Sequence, residues 1–310
     1  MSYFLGVDGG QSSTLALIGD AEGRVMGRGL AGPCNHVSAS ESRAKFLGAL
    51  TGAVNAACEH AGLTDIPQFT SACLGFSGGP QDKEGLTREA VRASNLIVTD
   101  DALIALSGAL AGDPGAITIA GTGSIAYARN KHGEVARAGG WGYVFGDEGG
   151  GFDISRQALR AALRFEEGWG PPTALHGRLL ASFDAKNANE LMHRFYTTEF
   201  SRPVVARFAE QVDEAANQGD AEAVRILHKA AEDLARIASS VCLRLFGKED
   251  VAVAYVGGVF RSHLLLNRFR DAVENRVVAP RFGPAAGALI EAYRATGRSV
   301  QLSHLPAEKA

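Results

Sequence analysis

Apolar and polar residues along this chain follow first a strand-like and then a helix-like period, and the same switch occurs again in its second half. Residues 3–7 form a short apolar run, 8–14 a glycine- and hydroxyl-rich break, and 15–18 another apolar run. This pattern predicts strand, tight turn, strand. Asp20-Ala21-Glu22-Gly23 predicts a second turn into a third strand over 25–28. Helical spacing covers 40–61. Next come a strand at 71–76, a Gly/Pro-rich turn, a helix near 83–93 and a strand at 95–99. Small residues at helical spacing over 101–111 predict a helix packed closely against a neighbour.

The opening device then recurs. Residues 116–120 predict a strand, Gly121-Thr122-Gly123-Ser124 a glycine turn and 125–128 a strand, and 130–134 turn into a third strand at 135–137. Helices are predicted over 155–165, 188–196, 202–217 and 220–246. A strand at 251–256 enters Gly257-Gly258-Val259, and helices at 263–275 and 285–296 follow. An internal duplication of this kind is a statement about topology. It predicts an α/β protein of two similar lobes with a central cleft, where phosphate-binding turns face each other. The lobes are expected at 1–114 and 115–285, with the segment from about 286 to 310 packing back on the first.

Composition narrows the class. The chain has 310 residues, 46% hydrophobic and 21% charged, with a formal net charge of −3, an ordinary globular balance. No basic stripe points to nucleic acid, and no apolar run is long enough for a bilayer. No basic region or cleavage site precedes the first strand, so no leader is expected. Cys34, Cys58, Cys73 and Cys242 are too scattered for a disulfide framework or a zinc site. The cytosol is the expected location.

Anionic phosphates require several backbone N–H donors at short range, and glycine lets the chain come close enough. Such turns follow three strands, at Asp8-Gly9-Gly10, Gly121-Thr122-Gly123 and Gly257-Gly258-Val259. No Gly-x-x-x-x-Gly-Lys-Ser/Thr string exists, which excludes a P-loop. Gly121-x-Gly123-x-x-Ala126 has dinucleotide spacing, but a strand follows where that fingerprint requires a helix. Taken singly, each turn also reads as an ordinary hairpin.

Together with Asp101-Ala102-Leu103-Ile104-Ala105, Gly139-Gly140-Trp141-Gly142 and Gly146-Asp147-Glu148-Gly149-Gly150, these turns give the chain a resemblance over nearly its whole length. It resembles the acetate kinase, sugar kinase, heat-shock chaperone and actin superfamily, in its N-acetylglucosamine kinase and BadF-type ATPase branch. The resemblance implies two actin-like (ribonuclease H-like) lobes and an ATP- and Mg²⁺-dependent kinase of an amino sugar, N-acetylglucosamine at its 6-hydroxyl before other hexosamines. It leaves a homodimer open. The ATP contacts it implies are Gly9, Gly10, Ser12, Thr14, Gly121, Thr122, Gly123, Gly257 and Gly258, the first two turns at the β- and γ-phosphates and the third at the adenosine.

Phosphoryl transfer asks the protein for positioning, charge neutralisation and an oriented nucleophile. Asp8, at the first turn, suits Mg²⁺ held through water, because Mg²⁺ keeps waters and takes few carboxylates; its other reading is a turn former. Ser12 and Thr14 read either as phosphate donors or as caps of that turn. The resemblance makes Asp101 the base for the sugar hydroxyl and leaves Asp100 as the helix cap. It also places Asn35, His36 and Asp147 on the sugar. Trp141 reads equally as an aromatic wall for the sugar and as a core residue. Ile125 stands where N-acetylglucosamine kinases carry Asn, which brings glucosamine and other hexosamines into range. A BadF-type activator of a partner reductase would need cysteines for an iron–sulfur cluster, and none lies near the turns or in 139–151.

Overall fold

The computed structural model describes residues 2–34, 40–197 and 200–305. The chain divides into two compact units, one of residues 1–114 with 279–310 and one of 115–278.

In unit 1, strands β1 (Phe4–Gly9), β2 (Thr14–Gly19) and β3 (Val25–Ala31) form an antiparallel meander, and β4 (Phe69–Phe76) and β5 (Ala93–Asp100) add in parallel to the free edge of β1, giving the order β3-β2-β1-β4-β5. Helices α1 (Ser40–His60), α2 (Glu84–Ala90) and α3 (Asp101–Ala109) alternate with the parallel strands. Successive strand residues point to opposite faces. Leu5, Val7, Ala16 and Ile18 therefore join Leu50, Ala53 and Val54 of α1 in one core. Phe4 and Leu17 join Ile104 of α3 and Leu289 and Tyr293 of the C-terminal helix Pro284–Arg294 in another.

Glycine sets how closely these layers approach. A Cβ at Gly29 would lie 1.9 Å from the Ala53 carbonyl oxygen, so α1 rests directly on β3. A Cβ at Gly287 would lie 1.8 Å from the Ile104 carbonyl oxygen and 2.3 Å from the Gly108 nitrogen. The small residues of α3 thus serve close packing against the C-terminal helix.

Unit 2 repeats the plan. Strands β6 (Gly115–Ala120), β7 (Ser124–Arg129) and β8 (Val135–Gly139) form the meander, with β9 (Val253–Val256) and β10 (Val277–Val278) parallel on its other side, in the order β10-β9-β6-β7-β8. Helices α4 (Gly151–Glu166), α5 (Leu175–Ser182), α6 (Ala188–Phe195), α7 (Arg202–Ala206), α8 (Phe208–Asn217), α9 (Ala221–Phe246) and α10 (His263–Ala272) accompany them. Side chains of α4, α8 and α9 (Ile154, Ala158, Val212, Ala231, Leu234) fill the core.

Several elements differ from the sequence expectation. α4 starts at Gly151, because its N-cap Gly150 and the preceding glycines mask the helical period. The helix expected over 202–217 is broken at Arg207 into α7 and α8. α5 and the two-residue β10 carry too little period to be read. Among the described residues, no helix is long and apolar enough to cross a membrane.

Gly287→Ala should cost about 1–3 kcal/mol, because the added methyl meets backbone that cannot rotate away. Gly177→Ala, inside α5 with no heavy atom within 4 Å of its Cβ position, should be neutral or gain about 0.5–1 kcal/mol. Urea denaturation of both variants measures the difference; equal midpoints would contradict the close packing.

Candidate functional site

In unit 1, parallel pairing brings the carboxyl ends of β1, β4 and β5 to one edge, where ligands commonly bind in open α/β sheets. Gly9 sits opposite Phe76 and Phe76 opposite Asp100, while Asp8 and Gly75 share the preceding rung. A Cβ on Gly9 would lie 2.3 Å from the Phe76 ring, so this position excludes larger residues. The Gly10 N–H donates to the Ser13 carbonyl (2.9 Å) and closes the turn, and the Ser77 N–H donates to the Gly9 carbonyl (3.2 Å). Ser12 is exposed at the turn.

Thr14 is corrected here. It is fully buried, and its hydroxyl donates to the Gly32 carbonyl at 2.7 Å and lies 3.0 Å from the Cys34 sulfur. The hydroxyl ties the start of β2 to the segment after β3, and a hydroxyl spent on a carbonyl cannot also donate to phosphate. Asn35 and His36 lie outside the described residues.

Asp100 and Asp101 separate by function. The Asp100 side chain accepts the Leu103 N–H at 2.8 Å and is the N-cap of α3. Asp101, in the first turn of α3, is half-buried. Burial pushes its carboxyl up from the ordinary carboxylate range; hydrogen bonding from Ser77 opposes this, and the neighbouring Asp100 charge adds to it. Ser77, which ties Asp101 to the first glycine turn, was not singled out in the sequence, where nothing distinguishes it from its Gly/Pro-rich surroundings. Asp8 is half-buried at the same strand ends. Among the described residues no group of three or more potential metal ligands exists. A single carboxylate at a glycine turn still fits Mg²⁺ bound largely through water.

Unit 2 places its two glycine turns side by side. β6 and β9 are parallel, Ile119 opposite Val256, so both turns leave the same edge. A Cβ on Gly257, at φ +111°, would lie 2.2 Å from the Ala120 carbonyl oxygen. Gly121 and Gly258 have no heavy atom within 4 Å of their Cβ positions and present open backbone. The start of α4 is bonded to the same place. Its Gly151 N–H donates to the Gly121 carbonyl (2.8 Å) and its Phe152 N–H to the Thr122 carbonyl (3.0 Å).

Asp147 lies over Gly123, whose Cβ would meet its carboxylate at 2.4 Å. It is 6% exposed and adopts φ +63°, a left-handed conformation that Asp tolerates better than most side chains. Its Oδ1 accepts the Gly142 N–H (3.3 Å) and its Oδ2 an Arg202 guanidinium N–H (2.9 Å). Both oxygens are thus held by protein donors. Arg202, 55 residues away in sequence, gave no signal in the chain. Trp141 is 69% exposed, with the Arg137 guanidinium 5.3 Å from its ring centre, which removes the core reading. Ile125 packs toward Gly140, whose Cβ would lie 2.9 Å from its side chain.

Comparison with known proteins bears on the whole chain. The family model described as the BadF/BadG/BcrA/BcrD ATPase family matches residues 5–292. An N-acetylmuramic acid/N-acetylglucosamine kinase of Clostridium acetobutylicum is 32% identical, over 87% of this chain and 90% of its own length. An N-acetyl-D-glucosamine kinase of Dictyostelium discoideum is 30% identical, over 82% and 84%. A crystal structure from Chromobacterium violaceum, provisionally designated N-acetylglucosamine kinase, superposes with a TM-score of 0.76 at 29% identity and covers 94% of this chain and 98% of its own.

The two neighbouring carboxylates should behave oppositely on substitution. A raised pKa means that folded Asp101 holds its proton to higher pH than unfolded Asp101 does. Stability is therefore lost as pH rises from the unfolded value, about 3.9, through the folded one. Asp101→Asn should raise the melting temperature at pH 7, with the gain vanishing toward pH 4. Asp100→Ala should lower it at pH 7 by the loss of a cap, about 1 kcal/mol. Thermal melts of both variants against pH check this; an Asp101→Asn variant less stable than the parent at pH 7 would contradict it.

Proposed function

Because the chain belongs to the BadF/BadG/BcrA/BcrD ATPase family, we propose that it is an ATP-dependent kinase that phosphorylates an amino sugar, N-acetylglucosamine at the 6-hydroxyl before other hexosamines. The observation that carries this reading is Asp101, a half-buried carboxylate of raised proton affinity at the strand ends, tied through Ser77 to a glycine turn. The amino-sugar kinases at 32% and 30% identity support the substrate class.

Each unit contributes defined groups. In unit 1 the turn at Gly9, Gly10 and Ser12 lies against the phosphate, with the Gly10 N–H closing the turn on Ser13 and exposed Ser12 left to donate, and Asn35 and His36 bind the sugar. Asp101 accepts the proton of the attacking hydroxyl, and Ser77 holds its carboxylate in orientation. A carboxylate with raised proton affinity is a better base near neutrality than an ordinary one. Asp8 would hold Mg²⁺, which would supply charge neutralisation at the phosphates. In unit 2 the turns at Gly121-Thr122-Gly123 and Gly257-Gly258 receive the nucleotide, with open backbone at Gly121 and Gly258. Asp147 accepts from sugar hydroxyls, and exposed Trp141 covers an apolar sugar face.

All four cysteines are buried, and none lies in 139–151. That counts against the alternative of an ATPase activator with a cluster bridged between subunits. The protein is expected to work in the cytosol, and a homodimer remains compatible with this chemistry.

Coupled ADP release across N-acetylglucosamine, glucosamine, N-acetylmannosamine and glucose should show sugar-dependent turnover, with an amino sugar preferred. Asp101→Asn should lower kcat by about two to four orders of magnitude with little change in sugar binding. Full activity in that variant would place the base elsewhere. Asp8→Asn should raise the Mg²⁺ concentration needed for half-maximal rate far more than it raises the sugar KM; an unchanged requirement would remove Asp8 from the metal.

A further inference from the structure

Lys83 carries a buried charge that the chemistry described so far leaves unused. Its side chain is 0% exposed, although burying an ammonium is costly unless its donors are satisfied. The ammonium donates to the Gly79 carbonyl and to the Asp82 carboxylate, each at 2.9 Å. An apolar side chain of similar length would fill the same space without that desolvation, so packing alone does not account for a lysine here.

The ammonium stands over a turn with little rigidity of its own. After β4 the chain runs Ser77-Gly78-Gly79-Pro80, with Gly78 at φ +81° and Gly79 at φ +89°. Two successive glycines lose more conformational freedom on ordering than any other pair. The Gly79 N–H donates back to the Phe76 carbonyl (3.2 Å), and the Lys83 N–H donates to the Pro80 carbonyl (2.9 Å). The Gly79 carbonyl between them is taken by the ammonium. Lys83 itself is fixed at the start of α2, where the Thr87 hydroxyl donates to its carbonyl (2.9 Å) and Leu86 enters the core. Its stem therefore ties a loose turn to an anchored helix.

Ser77 opens that turn. Strand register sets Phe76 opposite both Gly9 and Asp100, so Ser77 and Asp101 leave neighbouring strands one residue further on. The Ser77 N–H donates to the Gly9 carbonyl (3.2 Å), and its side chain hydrogen-bonds Asp101. We infer that Lys83 is a positioning residue: its ammonium fixes the Gly78-Gly79 turn and so keeps Ser77 in place against the Asp101 carboxylate. This rests on the reading that Asp101 is the base. Fully buried, Lys83 acts through Ser77 and not on a ligand, and small displacements of a catalytic group are enough to slow a reaction severely.

Steady-state kinetics with ATP and N-acetylglucosamine test the role. Ser77→Ala and Lys83→Met should each lower kcat about ten- to a hundredfold while the sugar KM stays within about twofold of wild type. The double variant should be no slower than the slower single one, because both changes release the same contact. Lys83→Gln, which retains a neutral donor for the Gly79 carbonyl, should recover part of the loss. A lysine needed only for folding would lower the melting temperature and leave kcat per folded molecule unchanged, which overturns the positioning role. So would losses that multiply in the double variant, or a raised ATP KM at unchanged kcat, which would mean that the charge acts on phosphate. Wild-type kcat in Ser77→Ala overturns it even where a Lys83 variant fails to fold. If Asp101→Asn is inactive while Ser77→Ala and Lys83→Met are not, the positioning role alone fails; if Asp101→Asn keeps full activity, the base assignment fails and the role with it.

Discussion

Close approach to glycine backbone at the ends of the strands is the constraint on which the rest of this structure depends. At Gly257 the missing side chain brings the turn after β9 against the Ala120 carbonyl, and at Gly123 it makes room for the Asp147 carboxylate. At Gly9 it leaves space for the Phe76 ring. A methyl at any of these positions would sit within 2.4 Å of a heavy atom, well inside contact distance. The turns that could receive phosphate are thus held by the same glycines that join the strands to their neighbours, so the geometry of the fold and of the site cannot vary independently.

The consequence for chemistry is a division between groups satisfied inside the protein and groups left to act. Thr14 is spent on the Gly32 carbonyl, Asp100 on capping α3 and the Gly10 N–H on closing its turn. Asp101 is instead held half-buried at a cost to its charged form, the kind of perturbed carboxylate that clusters at functional sites. Asp147 occupies an intermediate position. Its oxygens are held by Gly142 and Arg202, so any further donor meets it either at a remaining lone pair or in place of one of those two. The lining around it couples a carboxylate, a guanidinium and aromatic rings within one loop and the start of α4 and α7.

Much of this was legible in the chain because the informative features are local. The strand–turn–strand device at the start of each half became two sheets of the same order, and the assignment of Asp100 as cap followed from its place at a strand–helix junction. What escaped was set by distance. Thr14 finds its acceptor 18 residues on, at Gly32, and Asp147 finds Arg202 55 residues on; no spacing rule links either pair. The start of α4 was hidden for another reason, since Gly149, Gly150 and Gly151 carry no hydrophobic period although their amides and carbonyls organise the loop.

The central claim is that the phosphoryl group goes to a sugar hydroxyl and not to water. Turnover of ATP in ¹⁸O-enriched water with N-acetylglucosamine present tests it, with the products resolved by mass spectrometry. The account predicts a sugar phosphate whose phosphoryl oxygens carry no label, formed in step with ADP, and little inorganic phosphate. Sugar-independent release of ¹⁸O-labelled inorganic phosphate, with no sugar ester formed, would contradict it.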